Sequence, residues 1–338
     1  MIMLKLMSIK EYTNMVSIKE TEVVLVEAVQ PFDINSLGNL FGGRMLEWMA
    51  NIGTVAATRF SRGPAVLAYL DRHFFIRPVR LGEFVILKAR VEYVGTSSME
   101  VRIEAWKESL GGKQELVTMT TASYVAIDEY GVPRPINNVL EPADNERQLY
   151  EEAKKRYEER RKKIGDRKFK RFDITDPTRG LRWRVDSSRW ATPSDAFVGN
   201  LVSGGRLLAW LDEIAGLLAA RYSGGAAVTG SVDETAFYAP IRVGDIVTIR
   251  AGITYVGKAS MEIMLDVIAE GAYGHARHVC TAYYTYVHVD SNGRPAPVPE
   301  YVPVNDYEKS LFTEGERRRQ VRDEELTRIK RMWMSPES

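Results

Sequence analysis

Asp212 is the side chain whose setting most favours chemistry. It lies in the run GGRLLAWLDEIAG (204–216). On a helix, Leu208, Asp212, Ala215 and Ala219 fall on one side, so Asp212 interrupts an apolar stripe. A carboxylate there is costly unless partnered, and burial raises its pKa. That is the usual setting of a general base. Such an acid takes a proton from water or attacks an electrophile itself. The alternative is a buried Asp satisfied by backbone groups or facing a subunit seam.

The helix that carries Asp212 has a twin. GGRMLEWMANIG (42–53) matches it, and the match continues through the pairs Gly43/Gly205, Pro78/Pro240, Gly95/Gly257 and Asp128/Asp290, all 162 residues apart. A repeat this long is a domain rather than a solenoid turn. The copies differ where it matters: Asp212 aligns with Ala50, and Glu213 aligns with Asn51. Glu213 reads as a solvent or interface residue.

Each copy needs elements to hold this helix. Residues 17–30 read as a strand, 31–41 as a turn-rich loop, and 42–60 as a helix apolar nearly all round, which marks a buried helix. Strand-like runs follow at 65–76, 83–94, 98–107 and 115–127. One strand, one buried helix and four more strands predict an α+β fold, an antiparallel sheet wrapped around a central helix. The expected organisation is a first domain at 17–140, a charged helical linker at 141–180, a second domain at 181–304 and a charged C-terminal helix at 305–338. Both charged stretches read as solvated faces.

Composition narrows the function classes. The chain has 338 residues and a net charge of +1, which gives no general footprint for nucleic acid. Its single cysteine, Cys280, excludes an intramolecular disulfide, fits a reducing compartment and reads as a core residue. The apolar N-terminus MIMLKLMSIK is too short to span a membrane and lacks a cleavage site. His275 and His278 lie three apart on a strand, on opposite faces, so no metal site is expected. Asp71, Asp233, Arg80 and Arg242 recur beside the repeated prolines and read as structural.

The runs NSLGNLFGGRMLEWM (35–49), HFFIRPVRLGE (73–83) and YVGTSSMEV (93–101), met in order and then again, resemble the hotdog-fold acyl-CoA thioesterases. The doubled arrangement is similar to the tandem, cytosolic type, over residues 20–140 and 181–300. The resemblance implies two tandem hotdog domains paired as a pseudo-dimer within the chain, with sites at the seam. It implies acyl-CoA as substrate, fatty acid and CoA as products, no cofactor, no metal, a cytoplasmic location and a ring of three chains.

It also implies roles. The acid on the central helix is catalytic, hence Asp212. A polar residue ahead of the Gly-Gly pair comes from the opposite unit, hence Asn39. Asn200 sits one residue farther from its Gly-Gly pair. One working site is therefore expected, Asn39 with Asp212; its mirror pairs Asn200 with Ala50 and is expected to be inactive or a CoA-binding remnant. Gly42, Gly43, Gly204 and Gly205 start the central helices, where free N–H groups and the helix dipole favour an oxyanion. CoA contacts are expected from the turns Gly95, Thr96, Ser97, Ser98 and Gly257, Lys258, Ala259, Ser260, against an ordinary β-turn as the alternative. Whether Asp212 activates water or forms an anhydride stays open.

Two other functions compete. A hotdog hydratase or dehydratase relies on a histidine at the helix entrance, and none lies in 31–52 or 193–214. A non-catalytic acyl-CoA sensor would have no use for Asp212.

Overall fold

The structure is a computed structural model that describes residues 15–165, 170–271 and 274–333. The N-terminal apolar run lies outside these residues. The first unit contains β1 (Met15–Val16), β2 (Val23–Ala28), the helix α1 (Gly42–Ser61), β3 (Ala65–Leu70), β4 (His73–Phe74), β5 (Phe84–Val94), β6 (Ser98–Glu108), β7 (Gln114–Ala126) and β8 (Val139–Leu140). The helix α2 (Arg147–Gly165) leads to the second unit. That unit holds β9 (Arg184–Trp190), β10 (Ala196–Val198), β11 (Leu201–Val202), the helix α3 (Gly204–Ser223), β12 (Ala227–Val232), β13 (Thr235–Ala236), β14 (Ile246–Val256), β15 (Ser260–Glu270) and β16 (Ala276–His288). The helix α4 (Asp306–Trp333) closes the described chain.

Two six-stranded antiparallel sheets wrap the two central helices. Their orders are β13-β3-β7-β6-β5-β2 and β4-β12-β16-β15-β14-β9. Alternation explains which face each sheet buries. In β6, Met99, Val101, Ile103 and Ala105 are wholly buried and join the core that α1 completes. The bulge between Val91 and Tyr93 recurs between Ile253 and Tyr255, at the same offset of 162. The units are therefore tandem hotdog folds of the α+β class.

One strand expected at 65–76 is two. After Leu70 the chain leaves its own sheet, and His73–Phe74 pairs with Ser231–Val232 of the second unit. In return, Thr235–Ala236 pairs with Tyr69–Leu70. Each sheet thus takes its edge strand from the other unit. The helices meet as closely. A Cβ on Gly43 would lie 2.9 Å from the Asp212 Cβ, and one on Gly205 would lie 2.7 Å from the Glu47 carbonyl. Glycine at both positions is what lets the backbones approach.

The charged helices correct the expectation of solvated faces. Ala153 on α2 is wholly buried, and Arg160 is 5% exposed. Arg160 bonds Glu100 and, at 2.8 Å, Asp71. Arg156 reaches the buried Glu92 at 2.8 Å. On α4, at the same offset, Arg322 meets Asp233 at 2.8 Å and Glu262 at 2.7 Å, and Arg318 meets Glu262 at 2.7 Å. Each helix lies on the outer face of its own sheet and neutralises carboxylates that the strand alternation aims away from the core. Among the described residues, no helix is long and apolar enough to cross a membrane.

Candidate active site

Two cavities related by the repeat open at the seam. The first, of about 460 Å³, is lined by Asn35, Asn39 and Gly42 from the first unit and by Thr229 and Tyr286 from the second. Asp212 stands behind this wall with no exposed surface. Its Oδ1 accepts from Tyr286 Oη at 2.6 Å and Thr229 Oγ1 at 2.8 Å, and its Oδ2 accepts from the Gly43 N–H at 2.5 Å. Burial pushes the carboxyl up from 3.8 to about 6, while those three donors restrain the rise. The acid is thus poised to exchange a proton near neutrality.

Gly43 differs from the expectation. Its N–H is not open to a ligand but points at Asp212, so the positive end of α1 faces the carboxylate. Gly42, one residue earlier, lines the cavity, and as the first helical residue its N–H has no intrahelical acceptor. Gly204 and Gly205 depart further. Ser203 Oγ accepts from the Gly205 N–H at 3.1 Å and the Arg206 N–H at 3.4 Å, so this helix end is already capped.

Asn39 lines the first cavity, whereas Asp212 lies behind the part of its wall formed by Gly42, Thr229 and Tyr286. The Asn39 backbone is pinned, since its N–H donates to Asn35 Oδ1 and its carbonyl accepts from the Asn35 N–H. Its carboxamide remains at the cavity wall. Three residues escaped the sequence reading. Asn35 lines the same cavity, and its Oδ1 is fixed by the N–H groups of Leu37 at 3.0 Å and Asn39 at 3.2 Å. With its oxygen occupied, its NH2 group is the half left to donate. Thr229 and Tyr286 are the other two. Comparing the copies strand by strand would have exposed Thr229, because its counterpart is Leu67.

The second cavity, of about 250 Å³, is the mirror image. Arg80 bridges Asn39 and Arg242 bridges Leu201, so the counterpart of Asn39 is Leu201, with Asn200 out of register. Phe197 replaces Asn35, Leu67 replaces Thr229, and Ala50 replaces Asp212. Tyr124, counterpart of Tyr286, donates to the Ala50 carbonyl at 2.8 Å and has no carboxylate at position 50 to orient. No titratable group remains at these positions.

The expected CoA turns 95–98 and 257–260 line neither cavity. They close the hairpins β5–β6 and β14–β15, with Thr96 and Lys258 exposed. Gly95 packs beneath Tyr157, and Gly257 beneath Arg319. Glu213 is an exposed residue at the first cavity, 3.7 Å from Arg189. Cys280 is buried in the core. His278 sits 3.2 Å from Asp266, away from either cavity.

Comparison with known proteins bears on the family. The Thioesterase superfamily profile matches residues 37–112 and 199–273, once in each unit. The cytosolic acyl coenzyme A thioester hydrolase of Mus musculus is 31% identical over 313 residues, covering 88% of this chain and 82% of its own. An uncharacterized acyl-CoA thioester hydrolase of Bacillus subtilis is 35% identical over 39% of this chain and 77% of its own, the span of a single unit. A solved acyl-CoA hydrolase of Staphylococcus aureus, in complex with butyryl coenzyme A and coenzyme A, is similar at 28% identity over 46% of this chain and 95% of its own, with a TM-score of 0.42. Two matched units, a relative covered over most of its length and a buried acid at the seam lead to one conclusion: the chain belongs to the thioesterase superfamily.

Proposed function

We propose that the chain hydrolyses fatty acyl-CoA to fatty acid and CoA at one site, formed by the loop ahead of α1 and the buried acid of α3. That it is an acyl-CoA thioester hydrolase follows from its likeness to the mouse enzyme across most of both chains. The single observation that supports the site is Asp212, wholly buried, held by three donors and raised to about 6 behind the wall of the larger cavity.

Asp212 takes the proton of a water that attacks the thioester carbonyl. Thr229 and Tyr286 fix the carboxylate, and the Gly43 N–H at the helix end steadies its ionised form. A carboxylate engaged at both oxygens suits proton transfer better than nucleophilic attack. Asn35 Nδ2 and the Gly42 N–H are the donors proposed for the developing oxyanion. Asn39, beside them, orients the thioester. The acyl tail runs along apolar wall residues such as Met45, Phe75, Val117 and Leu217. Lys258 and the turn 257–260 lie outside the cavity, where a CoA phosphate extending from the mouth has a point charge to meet. We place the chain in the cytosol, like the mouse relative, and propose an assembly of three chains, which light scattering measures.

The test is CoA thiol release from acetyl-, butyryl- and palmitoyl-CoA. Asp212→Asn is expected to lower turnover by about 10²–10⁴-fold with the far-ultraviolet spectrum retained. Asn35→Ala is expected to cost more turnover than Asn39→Ala. A single turnover in ¹⁸O-water tests for an anhydride, because water attacking its aspartyl carbonyl would place label in Asp212 rather than in the fatty acid. Near-native release by Asp212→Asn would remove the proposal.

A further inference from the structure

We propose that the smaller seam cavity is a non-catalytic binding site for a medium-chain carboxylate, with the hydrocarbon tail inside and the carboxylate at Arg242. The proposal rests on the hydrolase reading only in that such carboxylates are its products; the binding itself follows from the cavity.

The interior has changed class. Positions occupied by Asn35, Asn39 and Thr229 in the larger cavity hold Phe197, Leu201 and Leu67 here, and Ala50 stands where the acid would be. The helix end that would attract an anion is closed by Ser203. The lining carries no charge, and the hydroxyls of Thr54 and Ser203 already donate to the Ala50 carbonyl and to Asn51, so a hydrocarbon is the matching guest. The volume, about 250 Å³, exceeds the roughly 150 Å³ at which an apolar protein cavity already takes up benzene. Simple disuse would have let neighbouring side chains fill this space, since interiors pack densely.

The rim keeps its charge. Gly131 lines the mouth, and the Arg242 guanidinium lies 3.6 Å from where a Gly131 Cβ would be. Its one side-chain bond among the described residues is a long one, 3.5 Å, to the Tyr130 carbonyl. Asp245, on the same turn, is engaged by Arg277 and by the Arg242 backbone N–H. A guanidinium beside an apolar chamber, with no carboxylate of its own, is the recognition element for a fatty carboxylate head.

The experiment titrates octanoate, octanol and an octyl-CoA thioether into the full chain by calorimetry. Octanoate is expected to lose one binding event in Val66→Phe, which fills the cavity from β3. In Arg242→Gln that event should weaken by about tenfold. Neither residue belongs to the proposed catalytic machinery, so turnover of octanoyl-CoA should persist in both. Octanoate binding unchanged in both variants would overturn the proposal, as would octanol binding as tightly as octanoate. Loss of a thioether site rather than an octanoate site in Val66→Phe would assign the cavity to CoA thioesters instead. If Val66→Phe fails to fold, the surface variant Arg242→Gln decides alone. Wild-type chain that binds octanoate at this cavity yet releases no thiol from octanoyl-CoA would separate failure of the hydrolase reading from failure of this one.

Discussion

The Tyr286 hydroxyl reaches both the carboxylate and the backbone carbonyl of Asp212, each at 2.6 Å. Tyr124 makes the matching carbonyl contact at Ala50 in the first unit. The tyrosine is therefore a clamp between sheet and helix in both units, and in one of them it also orients an acid.

Activity should follow the ionisation of Asp212. The base must be charged, so kcat/KM rises with pH through about 6. Thr229→Val removes a donor that lowers this pKa, and the acid limb should move to higher pH. A pH–rate profile with the limb unmoved would contradict the assignment of Thr229.

Stability should move the other way. The folded pKa of about 6 lies above the ordinary 3.8, so the folded state favours the neutral acid. That advantage is complete below pH 3.8 and is lost as pH rises through 6. Two units correspond to roughly 3 kcal/mol by linkage. Asp212→Asn should therefore melt higher relative to the wild type at pH 8 than at pH 4. A constant difference across that range would refute the argument.

The mirror cavity should not become active by restoring its acid. Ala50→Asp places a carboxyl among Leu67, Leu201 and Phe197, without the threonine or the open helix end that Asp212 enjoys. We expect a loss of about 1–3 kcal/mol in denaturant unfolding and no rescue of turnover in an Asp212→Asn background. Recovered thiol release would show that the acid alone suffices.

The helix crossing should tolerate no side chain. Gly205→Ala would set a Cβ 2.7 Å from the Glu47 carbonyl oxygen, a backbone atom that cannot step aside. Overpacking of this kind costs about 1–3 kcal/mol, against a gain of under 1 kcal/mol from helix propensity. Thermal unfolding should show a net loss; a rise in melting temperature would mean that the helices slide apart freely.

Arg322 should be worth more than its charge suggests. Its removal takes one buried partner from Asp233, which keeps Arg72, and one from Glu262, which keeps Arg318, a loss of about 1.5–3 kcal/mol. Lys309→Ala breaks only an exposed pair with Asp306, where under about 1 kcal/mol is expected. Equal effects in urea titrations would show that α4 is not anchored by these ions.

Much of this was legible beforehand. The buried character of α1 and α3, the tandem units and the displaced acid all follow from apolar spacing read at one offset. The charged helices were misread because composition counts charges without saying what faces them. Arg156 and Arg160 lie four apart on α2, and Arg318 and Arg322 repeat them 162 residues later. Following the repeat past residue 140 would have carried that signal. Their partners Glu100 and Glu262 sit among apolar neighbours on strands, where a lone acid says nothing until a helix covers it. Asn35 went unseen for a different reason. Its value lies in an oxygen tied to two amides of its own loop, a geometry that no spacing to Gly42 reveals. The split of the strand at 65–76 depends on a pairing partner more than 150 residues away, beyond the reach of local pattern.

The exchange of edge strands has a consequence for how this protein is taken apart. His73–Phe74 and Thr235–Ala236 are each stitched into the neighbour's hydrogen-bonded fabric. A protease that severs the connection between the halves would leave them interlocked, and either half made alone would display a raw margin in search of its missing thread.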